Sequence, residues 1–157
     1  MPKFVIESLA DNAVTLRVPG MNYQNTFAFH PNSSGVENLQ PGQRIRGTIH
    51  APAWKVDRVD MGGNYVEPLF GRPRRMQGTI LSVNGSANEL TVQVGYEVTV
   101  RLPEKYRAAD YQPGQRVGWD NIDIPTFEPA PASAAPAAPI DAGAPAANIA
   151  ANTAGPA

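Results

Sequence analysis

Three arginines, Arg72, Arg74 and Arg75, fall within four positions of the segment GGNYVEPLFGRPRRMQG (residues 62–78). This is the densest positive charge in the chain, and two aromatic residues, Tyr65 and Phe70, stand just ahead of it. A guanidinium offers a planar fork of donors suited to phosphate or carboxylate oxygens, and an aromatic face can stack on a nucleobase. Arg44 and Arg46, two positions apart in an alternating stretch, project to the same side of a strand. Arg44, Arg46, Tyr65, Phe70, Arg72, Arg74 and Arg75 are therefore the candidate binding residues, for a single-stranded nucleic acid or for another protein. Arg17 and His50 share the expected outer face, and Tyr23 and Trp54 offer further stacking surface. The plainer reading makes Trp54, Tyr65 and Phe70 a packed seam between two halves, with Arg72, Arg74 and Arg75 solvating a linker. Glu67-Pro68 also suits an extended edge on which a second protein pairs.

Catalytic patterns are missing. There is no G-x-S-x-G elbow, no G-x-x-x-x-G-K-[ST] loop and no G-x-G-x-x-G turn. His30 and His50 lack metal-ligand spacing and fall on outward strand faces, where they read as exposed polar residues. Asp57 with Asp60, and Asp120 with Asp123, can pair as carboxylates but read as solvated strand ends. Without cysteine there is no disulfide, thiolate zinc site or cysteine nucleophile. The chain is expected to be no enzyme and to need no cofactor or resident metal.

The elements that must position these residues are strands. Period-two alternation runs almost throughout, and helical periodicity is nearly absent. Val14, Leu16 and Val18 alternate with Thr15 and Arg17; Phe27 and Phe29 point inward; so do Ile45 and Ile49, opposite Arg44, Arg46, Thr48 and His50. Strands are expected over residues 4–9, 13–18, 25–30, 43–50, 54–60, 76–83, 89–94, 98–102 and 115–121. Asn84-Gly85 is the strongest hairpin signal, and residues 103–111 hold room for one short helical turn with Tyr106 packing down.

The phrase Pro-Gly-Gln-Arg followed by an apolar residue occurs twice, at Pro41 and Pro113. The turns are offset by 72 positions, and Val14-Thr15-Leu16 is offset by 76 from Leu90-Thr91-Val92. A four-residue difference between copies is tolerable in a surface loop, so one small unit is used twice. The expected architecture is all-β: two tandem OB-like barrels at residues 1–61 and 76–128, a junction at 62–75, and a disordered Ala/Pro tail at 129–157. The tail has too little bulky apolar surface to offset the entropy of ordering it.

All thirteen basic residues and thirteen of the fourteen acidic ones precede Pro129. Neutrality over that stretch argues against nonspecific polyanion binding, though not against a local basic face. No run approaches the roughly 18 apolar residues of a membrane-spanning helix, and the first residues lack a signal-peptide core, so no membrane partner and a cytoplasmic location are expected.

The first copy resembles the small OB-fold copper-binding domain of periplasmic copper and silver efflux systems. That family runs V-T-L or I-T-I, then Trp, M-T-M-x-F, a leucine in a loop and G-D-x-V-x-F. The matching residues are Val14-Thr15-Leu16, Tyr23, Asn25-Thr26-Phe27-Ala28-Phe29, Leu39 and Gly42-Gln43-Arg44-Ile45. About 40 residues are covered, and the resemblance implies the fold. Its two methionine ligands fall on Asn25 and Phe27, neither of them a donor for soft Cu(I). A metal- or oxyanion-handling domain would need a shifted site near Met21 and His30. The second copy is similar, more loosely, to a barrel appended to oxyanion transporters. The middle segment resembles one in an uncharacterised bacterial family, which implies no function.

Overall fold

The computed structural model describes residues 1–131; of the tail expected over 129–157, residues 132–157 lie outside the described residues. The described chain is all-β, with eleven strands: β1 (Lys3–Ala10), β2 (Ala13–Arg17), β3 (Gln24–Phe29), β4 (Arg44–Val59), β5 (Tyr65–Glu67), β6 (Phe70–Gly71), β7 (Arg75–Asn84), β8 (Glu89–Gln93), β9 (Glu97–Arg101), β10 (Arg116–Asn121) and β11 (Thr126–Pro129). Two single 3-10 turns, Val36–Asn38 and Ala108–Asp110, are its only helical pieces. No helix among the described residues is long and apolar enough to cross a membrane.

Alternation places the side chains as expected. Val14, Leu16, Phe27 and Ile49 are buried from the first half; Leu90, Val92, Val98 and Val100 are buried from the second. The two Pro-Gly turns close in the same way. Gly42 donates its N–H to the Ile6 carbonyl and Gly114 to that of Ile80; Gln43 and Gln115 each accept, through the side chain, the N–H of the residue three before.

Strand pairing departs from two separate halves. β1 pairs with β2, β2 with β3, β3 in parallel with β11, β11 with β4, and β4 with β1. These five strands form a closed circuit of pairing. A second circuit runs β7, β8, β9, β4 and β10, with β9 parallel to β4 and β10 returning to β7. β4 belongs to both. Its first residues, Arg44 to Arg46, pair with β1, and its last, Val56 to Val59, pair with β10. The break expected at Ala51-Pro52-Ala53 is therefore absent. Pro52 is tolerated because the strand changes partners there, from β11 and β9 to β10.

β11 makes the reciprocal crossing. It follows β10 in sequence yet pairs with β3 and β4, so pairing crosses the expected divisions at 61 and 128. Paired backbone also runs past the boundary expected at residue 128. Pro129 lies in β11 and pairs with Gly47, and Ala130 donates its N–H to the Arg46 carbonyl.

One continuous core spans both circuits. Tyr96, from the β8–β9 turn, meets Phe4, Tyr23 and Phe27 edge-on, with ring centroids 5.6, 6.0 and 6.1 Å away. Gly95 lets this turn in, because a Cβ there would collide with the Tyr23 ring. The seam is thus Tyr96 against Phe4, Tyr23 and Phe27. Of the aromatics expected there, Trp54 and Phe70 are 58% and 59% exposed, and Tyr65 is half-buried against Gln77 instead.

Candidate functional site

The junction between Val59 and Arg75 is fastened by three amide side chains. Gln77, buried in β7, donates to the carbonyls of Met61 and Gly63 and accepts the Tyr65 hydroxyl at 3.2 Å. Asn25, 1% exposed in β3, shares its Nδ2 donors among the carbonyls of Pro68, Leu69 and Gly71 at 3.1–3.3 Å, and its Oδ1 accepts the Tyr96 hydroxyl at 2.9 Å. Asn121 donates to the Pro73 carbonyl and accepts the Trp119 indole N–H. Every polar atom of Asn25 is thereby satisfied in a dry setting, where an unpaired amide is costly. Burial pushes the Tyr96 phenol well above its ordinary value, so it stays a neutral donor.

So fastened, β6 lies in parallel beside the start of β3, with Phe70 opposite Gln24. Arg44 of β4 is opposite Val5, Val5 opposite Arg17, and Arg17 opposite Gln24. Arg44, Val5, Arg17, Gln24 and Phe70 thus form one lateral row over five strands, about 19 Å long at the usual strand spacing of about 4.8 Å. Leu16 and Asn25 point into the core, so the alternate residues Arg17 and Gln24 face outward. Lys3 and Arg46, opposite each other on the same outer face, widen the row. Glu7 is its acidic counterweight and accepts from Arg17 Nε at 3.1 Å.

The second circuit carries the corresponding row without that charge. Arg116 is opposite Thr79, Thr79 opposite Gln93, and Gln93 opposite Glu97, which lies 3.8 Å from the N-terminal ammonium. Near-zero net charge therefore hides an uneven distribution, basic along this row of the first circuit and balanced along the corresponding row of the second.

The seven expected residues divide. Arg44 and Arg46 are exposed on the β1–β4 face, and Phe70 ends the row. Arg72 and Arg74 are exposed just beyond Phe70. Tyr65 is half-buried and engaged with Gln77. Arg75 is already committed: its guanidinium donates to Asp120 at 3.2 Å and lies 4.0 Å from Asp57. Partial burial works against that charge, but Asp120 and Tyr65 outweigh it and hold the guanidinium above its ordinary value. Asp57 and Asp120, expected as solvated strand ends, instead flank this arginine. Much of the 64–70 backbone is used internally too. β5 pairs with β7, and the carbonyls of Glu67 and Leu69 accept from Arg74 and Gln24.

One cluster had no signal in the sequence. His30 follows β3, His50 lies in β4, and Glu128 lies in β11. The imidazole centroids are 4.4 Å apart; Glu128 Oε1 is 2.8 Å from His50 Nε2 and 4.0 Å from His30 Nδ1. The histidines were expected as exposed residues on outward faces, but both are half-buried against Glu128. Only the pairing of β11 with β3 and β4 brings the carboxylate there. The positions matching copper ligands are occupied structurally: Phe27 is fully buried in the core and Asn25 is spent on the junction.

No protein-family model, curated protein or solved structure matches the chain.

Proposed function

We propose that the chain is a non-catalytic module that binds single-stranded nucleic acid on the outer face of the first circuit. Each circuit is read as one OB-like five-stranded barrel, built from a repeated unit, with fifth strands exchanged. β11 serves the first barrel and the end of β4 serves the second. The closed order of pairing and the matching Pro-Gly turns support this reading. On barrels of this type, single strands follow a basic groove in which aromatic side chains stack on bases.

The observation that carries the proposal is the row Arg44–Val5–Arg17–Gln24–Phe70, flanked by Lys3 and Arg46. It sets several cations and an exposed aromatic ring on one face. Arg72 and Arg74 extend the positive charge past Phe70, whereas Arg75 holds the barrel together and does not face a ligand.

Fluorescence anisotropy with labelled single-stranded RNA and DNA, repeated over a range of salt, tests the reading. Wild type binds at low salt. Replacing Arg17, Arg44 and Arg46 together by glutamine reduces the log–log salt slope by about 2, at about 0.7 per phosphate contact. Phe70→Ala weakens binding by roughly 1–3 kcal/mol at nearly constant slope, because stacking is lost and charge is not. No binding by wild type at low salt, or an unchanged slope in the triple variant, refutes the proposal.

A further inference from the structure

We infer that His30, His50 and Glu128 form a binding site for one divalent transition-metal ion of the zinc class. Two imidazoles and a carboxylate are a donor set such ions take readily, with a fourth position left to water. The three ligand atoms lie within 4.8 Å of one another. In a tetrahedral site with bonds of about 2.0–2.2 Å, ligand atoms stand about 3.3 Å apart. The observed separations of Glu128 Oε1, 2.8 Å from His50 Nε2 and 4.0 Å from His30 Nδ1, bracket that value.

The surroundings fit an ion held at a half-open rim. The three side chains are 23%, 29% and 35% exposed, shielded enough to limit competition by water yet open for entry. Each ligand comes from a strand, or the end of one, that is fixed by backbone pairing. His30 donates its N–H to the Phe127 carbonyl, and Thr126 of β11 is opposite His50. The site is therefore preorganised to the extent that β11 is seated. The Nδ1 lone pair of His30 now accepts the Asn32 N–H at 3.1 Å, in an exposed loop. The ion takes that lone pair and returns the amide to water, a small cost. Because β11 supplies the carboxylate, the ion also locks the C-terminal strand onto β3 and β4. This site is separate from the basic row, so either proposal can fail without the other.

The test uses the full chain, stripped of metal with a chelator. Zinc is titrated by calorimetry and by competition with a chromophoric chelator. The expected result is one ion per chain with a Kd at or below about 10 μM. His50→Gln and Glu128→Gln each weaken it at least tenfold, and zinc raises the Tm of wild type but of neither variant. The Asn32 amide resonance shifts on zinc addition, a change specific to loss of its bond to His30. Circular dichroism checks the fold of each variant; Glu128→Gln, at the most exposed of the three positions, keeps the test open if His50→Gln does not fold. A weaker wild-type Kd, or variants that bind zinc as wild type does, overturns the proposal and leaves a hydrogen-bonded His–Glu clasp.

Discussion

Phe127→Ala tests most directly whether the last strand completes the first circuit. Phe127 is fully buried, its ring stands edge-on to Phe4 at 5.8 Å, and it lies so close to Gly47 that a Cβ there would collide with it. Truncating a core phenylalanine costs about 3–5 kcal/mol in transfer and cavity terms. The upper half of that range applies here, because the paired strands β3 and β4 cannot collapse into the void. A loss of about 4 kcal/mol is a large share of the roughly 5–15 kcal/mol that stabilises a domain. At about 3 °C per kcal/mol for a chain of this size, Tm falls by roughly 12 °C. Urea unfolding followed by circular dichroism measures the free energy, and a thermal scan checks it. Leu81→Ala, on an exposed position of β7, is the control and should cost within about 0.5 kcal/mol. A Phe127→Ala loss below about 1.5 kcal/mol would mean the ring is not in the core, and the crossing of β11 would fall with it.

Asn25→Val removes the partner of the Tyr96 hydroxyl and of the Pro68 and Gly71 carbonyls, while the Leu69 carbonyl keeps the Gln24 N–H; at about 1–3 kcal/mol per buried unpaired group the expected loss is about 3 kcal/mol, read by urea unfolding. A loss under about 1 kcal/mol would show that water replaces the amide and that the junction is not fastened through it. Stability should also fall in alkali. Tyr96 keeps its proton in the folded state above the ordinary value of 10, while the unfolded chain loses it there. The folded state then binds more protons, so the contribution is whole below pH 10 and declines at up to about 1.4 kcal/mol per pH unit as pH rises toward the folded value. Tyr96→Phe should flatten that decline; an equal slope in both proteins would place the linkage elsewhere.

The sequence alone determined the all-β class, because side chains alternate across a strand and the apolar ones must share a face. Val14 and Leu16 against Thr15 and Arg17, or Val98 and Val100 against Thr99, are legible with no knowledge of their neighbours. Local turn chemistry was legible too: both Pro-Gly-Gln-Arg turns close as their residues dictate. Which strand pairs with which was decided only by the tertiary structure. Ladder hydrogen bonds join backbone groups that every residue but proline carries, so TFEP at β11 holds nothing that names β3 and β4 as its neighbours. Alternation likewise cannot say whether β4 stops at Pro52 or runs on into a second set of partners. The basic row followed the same division. Arg17 and Arg44 could be marked as outward, whereas Phe70 read equally as a stacking ring or a buried seam residue, and the alignment of all three is a matter of register. His50 and Glu128, 78 positions apart, meet only because β11 crosses back. Contacts at that separation are set by which arrangement buries the most core at once, a property of the whole chain that no stretch of it carries.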